Sequence, residues 1–233
     1  MQRLAQVRPL RRRVVAALVS LVAVGAAAPA AAQSAPDAQI DGAVAAWAKV
    51  KTIRGTFEQT VTNPLVGTSA TSHGQYAEER PNRLSIRFSP PMTDAIVADG
   101  RYTWVYLPTS APGQVIRRPA TDRASMPIDL TGQFLDEPRA KYAIRAAGTR
   151  AVDGRPSHGF TLTPKPGVSA PFSIATVWID DGDSLIREFE ETESGGVVRH
   201  VHLTALETNV PVERSTFSFS VPSGVRIVDR PED

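Results

Sequence analysis

The residues predict a mainly β fold of the α+β class, a single antiparallel sheet with a short helical cover. Three observations lead there. Runs with strict two-residue alternation dominate the chain beyond residue 50. Tight-turn dipeptides separate them, and no crossover helices intervene, so neighbouring runs pair as an antiparallel meander. Only one long segment carries a clear helical period.

Residues 1–32 read as a cleaved secretory signal peptide. Five arginines (Arg3, Arg8, Arg11, Arg12, Arg13) open the chain without an acid among them. An apolar run from Val14 to Ala28 follows, and Ala30-Ala31-Ala32 supplies small residues for signal peptidase. The run is too short to cross a hydrocarbon core of roughly 30 Å. Residues 33–233 then form a single domain, since no linker-like stretch or internal repeat divides them.

The helix is predicted over about Pro36–Val50. Ser34-Ala35-Pro36-Asp37 resembles a capping box with proline in the first turn. Ile40, Val44 and Trp47 recur at i, i+4 and i+7 and give it one apolar face. That face is too weak to stand alone and must lie on a sheet.

The first strand, Ile53–Val61, puts Ile53, Phe57 and Val61 on one face and Arg54, Thr56, Glu58 and Thr60 on the other. Arg83–Phe88 alternates in the same way through Leu84, Ile86 and Phe88. Further strands are predicted at Ala95–Ala98, Tyr102–Leu107, Val115–Arg117, Tyr142–Ala146, Gly159–Thr163, Ala175–Ile179, Leu185–Glu190, Val197–Leu206, Phe217–Phe219 and Val225–Val228. Asp99-Gly100, Asp153-Gly154 and Asp181-Gly182 mark hairpins, because glycine accepts the positive φ of tight turns. Met126–Leu135 lacks the alternation. Its Ile128, Leu130, Phe134 and Leu135 suit a short apolar-sided helix, either a structural plug or a movable lid.

Composition excludes several functions. The chain has 26 Lys+Arg against 24 Asp+Glu, and losing the leader removes five of the former and none of the latter, leaving net −3. The mature part has no basic block, so nucleic acid is not expected as a partner. With no cysteine there is no disulfide scaffold, thiolate zinc site, cysteine nucleophile or lipidated cysteine. HExxH, GxSxG and phosphate-loop motifs are missing. His200 and His202 share a strand face without an evident third metal ligand. Asp180-Asp181-Gly182-Asp183 lacks EF-hand spacing and reads as a polar turn. Glu188, Glu190, Glu191 and Glu193 show no pairing across a cleft. The expectation is a protein that is not an enzyme and takes no cofactor or metal.

Arg80-Pro81-Asn82, an alternating strand, Ile96-Val97-Ala98-Asp99-Gly100 and Trp104-Val105-Tyr106-Leu107-Pro108 follow one another in a telling order. With Gly55–Val61 before them, Leu162-Thr163-Pro164-Lys165 mid-chain, and Phe217-Ser218-Phe219 and Pro222-x-Gly224-Val225 after, the order resembles the LolA-type family of periplasmic outer-membrane lipoprotein carriers. The likeness spans nearly the whole mature chain. It implies a curved, incompletely closed antiparallel β-barrel whose concave hydrophobic face is capped by a short helical lid. It further implies acylated lipoproteins as cargo, received from an inner-membrane lipoprotein-releasing ABC transporter and passed to an outer-membrane receptor. A periplasmic monomer is expected.

The resemblance assigns Arg80 to closing the lid by hydrogen bonds to lid backbone. Ile40, Val44 and Trp47 with Ile128, Leu130, Phe134 and Leu135 form the lid, and Phe57, Leu84, Ile86, Phe88, Trp104 and Tyr106 line the hydrophobic ligand cavity. Leu84 stands where the family carries phenylalanine, and Arg83 where it is usually apolar. The same physics asks for a hollow interior, because an acyl chain in water costs on the order of 10 kcal/mol. Two other readings stay open. One is a carrier of another acylated lipid or glycolipid. The other is a lipid- or lipoprotein-sensing regulator of envelope stress, although such relatives usually carry a further C-terminal domain and this chain stops at Asp233.

Overall fold

A computed structural model describes residues 35–120 and 130–230. The predicted leader, the Ser34 cap and Ile128 lie outside the described residues. Helix α1 (Ala35–Lys49) leads into β1 (Thr52–Asn63), β2 (Thr68–Glu79), β3 (Arg83–Phe88), β4 (Ala95–Asp99), β5 (Tyr102–Tyr106) and β6 (Gln114–Pro119). Two one-turn helices, α2 (Gly132–Leu135) and α3 (Pro138–Lys141), precede β7 (Tyr142–Val152), β8 (Arg155–Pro164), β9 (Ile174–Asp180), β10 (Ile186–Thr192) and β11 (Val198–Thr208). A 3-10 turn (Arg214–Phe217) and β12 (Arg226–Asp229) complete the chain.

The strands form one 12-stranded sheet in the order β12-β6-β5-β4-β3-β2-β1-β11-β10-β9-β8-β7. Neighbours are antiparallel except β12 and β6. The meander has two long-range joins: β1 against β11, which zips its two halves together, and β12 against β6 at one edge. Strands β7 and β12 end the order without pairing to each other, so the sheet is not closed. Its inner face is nevertheless continuous: Ile96 of β4, Phe57 of β1, Leu203 of β11 and Leu162 of β8 belong to one buried cluster with α1 and α2. Residues that far apart in strand order share a core only if the sheet rolls around it.

Local sequence accounts for the turns. Asp153 and Gly154 both take positive φ (50° and 75°) between β7 and β8, and Gly100 (94°) turns β4 into β5. Asp180 accepts the Gly182 amide at 2.7 Å and binds the guanidiniums of Arg155 and Arg187, so Asp180–Asp183 is an arginine-held hairpin turn. Two predictions fail. Strand β2 was not expected, because Thr68–Ser72 has no apolar alternation; pairing to β1 along all twelve residues holds it. Phe217–Phe219 is predicted as a strand, but Phe217 is the buried last residue of the 3-10 turn and Phe219 stacks 5.6 Å from Trp104. Alternating aromatics there anchor a strap rather than a ladder.

Candidate functional site

The site is the inner face and the helices that cover it. Helix α1 lays Ile40, Ala43 and Trp47 against the sheet, all buried, with Val44 half-buried beside them. Ala43 completes the i, i+3, i+4, i+7 stripe that Ile40, Val44 and Trp47 outline in the sequence. Below it, Phe57, Leu84 and Ile86 are buried, and Phe88 meets the Phe57 ring edge-on at 5.2 Å. The registers Phe57–Gly74–Phe88 and Tyr76–Ile86–Ile96 put these side chains on one face across four strands.

Arg80 follows β2 and reaches the end of α1. Its Nη1 donates to the Trp47 carbonyl at 2.8 Å, and its guanidinium lies 4.0 Å from the centre of the Trp47 ring. Trp47 is in the last turn of α1, where carbonyls lack helical partners and the dipole is negative, so a cation is favoured there. Arg80 Nε faces Glu78 Oε1 at 3.3 Å, and the Tyr76 hydroxyl donates to Glu78 Oε2 at 2.7 Å. The buried carboxylate aims the guanidinium at the helix, and both charges are compensated.

Helix α2 is held by packing. Its N-cap, Thr131, makes no side-chain cap, yet Leu130, Phe134 and Leu135 are all buried. Phe134 sits 5.0 Å from the Phe189 ring and 5.6 Å from Phe172. The Tyr142 hydroxyl donates to the Gln133 carbonyl at 3.0 Å. Burial, then the charges of Asp136 and Glu191, push that phenol's pKa up and keep it a neutral donor. Arg139 of α3 forks onto Asp41 Oδ1 of α1 at 3.0 and 3.1 Å, linking the two covering segments.

Two expected cavity residues lie elsewhere. Trp104 pairs with Val97 and Tyr106 with Ala95, on the outer face of β4 and β5. There Trp104 donates its indole N–H to Asp99 at 2.9 Å, and Phe219 of the C-terminal strap covers both rings. The inner residues of β5 are Thr103, which is buried, and Val105, which packs against the core cluster. Period two sorts a strand into two faces but does not say which one points inward when both are covered. Phe134, Tyr142, Phe172 and Phe189 pack together beneath the covering helices. A cleft of about 500 Å³ opens on the outer face, between the sheet and the strap, lined by Arg54, Gln75, Arg87 and Val212 among others.

Sequence reading missed Glu78, Tyr76 and Phe172. Tyr76 and Glu78 alternate with Gly74 immediately before Arg80, a signal masked by the polar start of β2. The histidines do not gather: His200 pairs with Glu188 at 2.7 Å and His202 with Asp153 at 2.8 Å. Among the described residues no group of three metal-binding side chains occurs.

Known proteins match this arrangement. The family model described as outer membrane lipoprotein carrier protein LolA fits residues 48–220. An outer-membrane lipoprotein carrier protein of Halorhodospira halophila is 26% identical over 185 residues, covering 79% of this chain and 82% of its own. The one from Photorhabdus laumondii is 28% identical, with 78% and 83% covered. Among solved structures, an uncharacterized conserved protein from Thermus thermophilus shares the fold, with TM-score 0.53 at 11% identity, covering 84% of this chain and 99% of that one. The chain belongs to the LolA family of outer membrane lipoprotein carrier proteins, periplasmic transport chaperones that are not enzymes.

Proposed function

We propose that the inner face receives the acyl chains of a lipoprotein when α1 and α2 swing away as a lid, and that Arg80 sets how firmly the lid shuts. The observation that carries this reading is the contact of Arg80 with the last turn of α1, a single side chain bridging sheet and cover. Phe57, Leu84, Ile86 and Phe88 are the floor. Ile40, Val44, Trp47, Leu130, Phe134 and Leu135 are the underside of the lid, and Ile128 is assigned to it from sequence. Because aromatic side chains pack beneath the cover, room for fatty tails comes from moving it.

The energies suit a carrier. Burying each methylene contributes about 0.8 kcal/mol, so a long acyl chain outweighs the few kcal/mol of a charged hydrogen bond and a cation–π contact. Cargo opens the lid, and reclosure of the apolar cover over the empty face assists release. Residues 1–32 direct export and are cleaved, and the mature monomer takes cargo from an inner-membrane ABC transporter and yields it to an outer-membrane receptor.

The test is recovery of the mature protein from the periplasm and mass spectrometry of what it holds. Diacyl or triacyl lipoprotein is expected; a free glycolipid alone would overturn the assignment of cargo. Arg80→Leu should accumulate cargo and slow its onward transfer, with Arg80→Lys intermediate. Transfer at the parental rate would remove Arg80 from the mechanism.

A further inference from the structure

The loops that join strands at the two ends of the sheet differ in charge. At one end lie the connections β2–β3, β4–β5, β7–β8 and β9–β10, which carry Arg80, Arg101, Asp153, Asp181 and Asp183, with Asp99 at the end of β4 beside them. At the other lie Asn63–Gly67, Ser89–Asp94, Leu107–Gly113, Lys165–Ser173 and Glu193–Val197, which together hold only Asp94, Lys165 and Glu193 as charges. All three are tied inward. Asp94 accepts from the amide and hydroxyl of Thr109 at 3.2 and 2.8 Å, Lys165 donates to the Arg139 carbonyl at 2.6 Å, and Glu193 binds Arg199 at 2.9 Å. Among the described residues, further charge at this end comes from Asp136, Glu137, Arg139 and Lys141 of the α2–α3 corner and from exposed Arg226 at the start of β12.

The same end bears the exposed apolar groups. Leu65 is 82% exposed and Val66 67%, both in the β1–β2 turn, and Ile174 at the start of β9 is 42% exposed. No charged residue occurs between Glu58 and His73, so the whole distal hairpin is neutral. Its hydroxyls satisfy one another across the strands, Thr60 with Thr71 at 3.0 Å and Thr62 with Ser69 at 3.1 Å. Prolines at 64, 90, 91, 108, 112, 166 and 171 lower the number of amide donors these loops must desolvate.

We infer that the neutral β1–β2 hairpin at this end docks on a phospholipid bilayer, with the Leu65-Val66 turn entering the interfacial layer. Entering an apolar medium is opposed by charges and by unpaired donors, and the tip of this hairpin has few of either. Exposed aliphatic side chains on such a tip favour the interface over water. Entry is shallow. Strand β3 pairs with β2 only from Gly74 to Glu79, so the outer edge of Thr68–Ser72 keeps its backbone groups in water. Contact through two side chains is weak and reversible, as suits a protein that must leave one membrane for another. The surface is separate from the acyl-binding face, so either assignment can fail without the other.

The natural absence of cysteine provides the test. Thr68→Cys in the full mature chain, labelled with an environment-sensitive fluorophore, leaves Leu65 and Val66 in place. Vesicles of phosphatidylethanolamine and phosphatidylglycerol should shift its emission to the blue, and high salt should not abolish the shift. The same label at Arg101→Cys, on the charged end, should not respond. Adding Leu65→Asp and Val66→Asp to the Thr68→Cys protein should lower the vesicle-bound fraction about tenfold or more, while circular dichroism and acyl-probe binding stay as in the parent. No shift with protein-free vesicles, an equal shift at residue 101, loss of the shift in salt, or a shift only with membrane proteins present would each overturn the inference.

Discussion

Gly74 shows how one missing side chain shapes the inner face. A Cβ at this position would collide with the Phe57 ring and with the carbonyl of Arg87. The gap is what allows Phe57 to lie across β2 and meet Phe88. Gly74→Ala should therefore destabilise the fold by about 1–3 kcal/mol, the usual cost of overpacking. Phe57→Leu in the same chain should restore part of the loss, since the backbone clash remains; denaturant titration of the three proteins checks it. Glu191 works in the opposite sense, as a residue retained at a cost. It is buried on β10 with Oε2 lacking a hydrogen-bond partner and Arg199 Nε 3.3 Å from Oε1. Burial pushes its pKa above the ordinary carboxylate range, Arg199 pulls it back only in part, and Glu193 adds repulsion. A raised folded-state pKa gives stability that is complete below the unfolded value and lost as pH rises through the folded one. Glu191→Gln should thus melt higher than the parent at pH 7, and the difference should vanish below about pH 4, near the unperturbed glutamate value. A constant difference across that range would show that the charge is not what costs stability.

Neither covering helix is a stable unit by itself. Helix α1 is 15 residues rich in alanine, at the lower limit for independent helicity, and α2 is one turn without a side-chain cap. What fixes them is the sheet beneath, through Trp47 and Phe134. Phe134→Ala removes a ring that is fully buried against Phe172 and Phe189. Such a truncation removes about 3–5 kcal/mol of packing, more than one uncapped turn can withstand. Amide exchange in Gly132–Leu135 should rise sharply while β1 and β11 stay protected; uniform acceleration throughout would mean that α2 belongs to the folding core rather than to a detachable cover. The elements differ in how far sequence revealed them. Helix α1 and strand β3 were legible because half their residues touch solvent, so burial leaves a periodic imprint. Strand β2 was not, because Thr68–Ser72 owes its conformation to β1 and not to an apolar face. Trp104 and Tyr106 were read as strand residues correctly and placed on the wrong face, because the strap carrying Phe217 and Phe219 makes the outside of β4 and β5 apolar as well. Arg80 was legible from its motif, whereas the Glu78 and Tyr76 that position it become visible only when β2 is seen beside β3.

At the scale of the whole molecule, the proposed lid makes acyl affinity the intrinsic affinity of the open form reduced by the fraction of molecules that are open. Cargo binding and lid stability are then one equilibrium read from two sides. The clamp of Arg80 on the Trp47 carbonyl, with its cation–π contact, is worth about 2 kcal/mol by the usual measure of charged hydrogen bonds. Removing it from the shut form should raise apparent affinity for a fluorescent fatty-acyl probe about thirtyfold in Arg80→Leu, since about 1.4 kcal/mol is a factor of ten. Arg80→Lys, which retains a charge but not the planar fork, should fall between. Loss of Arg80 also takes a cation away from the buried Glu78 carboxylate. That cost falls on the open and shut forms alike, so it lowers the melting temperature without entering the affinity ratio. Tighter binding in a less stable protein is therefore the signature of a clamp, and a merely structural arginine would give weaker or equal binding with the same loss of stability. Titration of the probe beside a thermal melt of each variant separates the two.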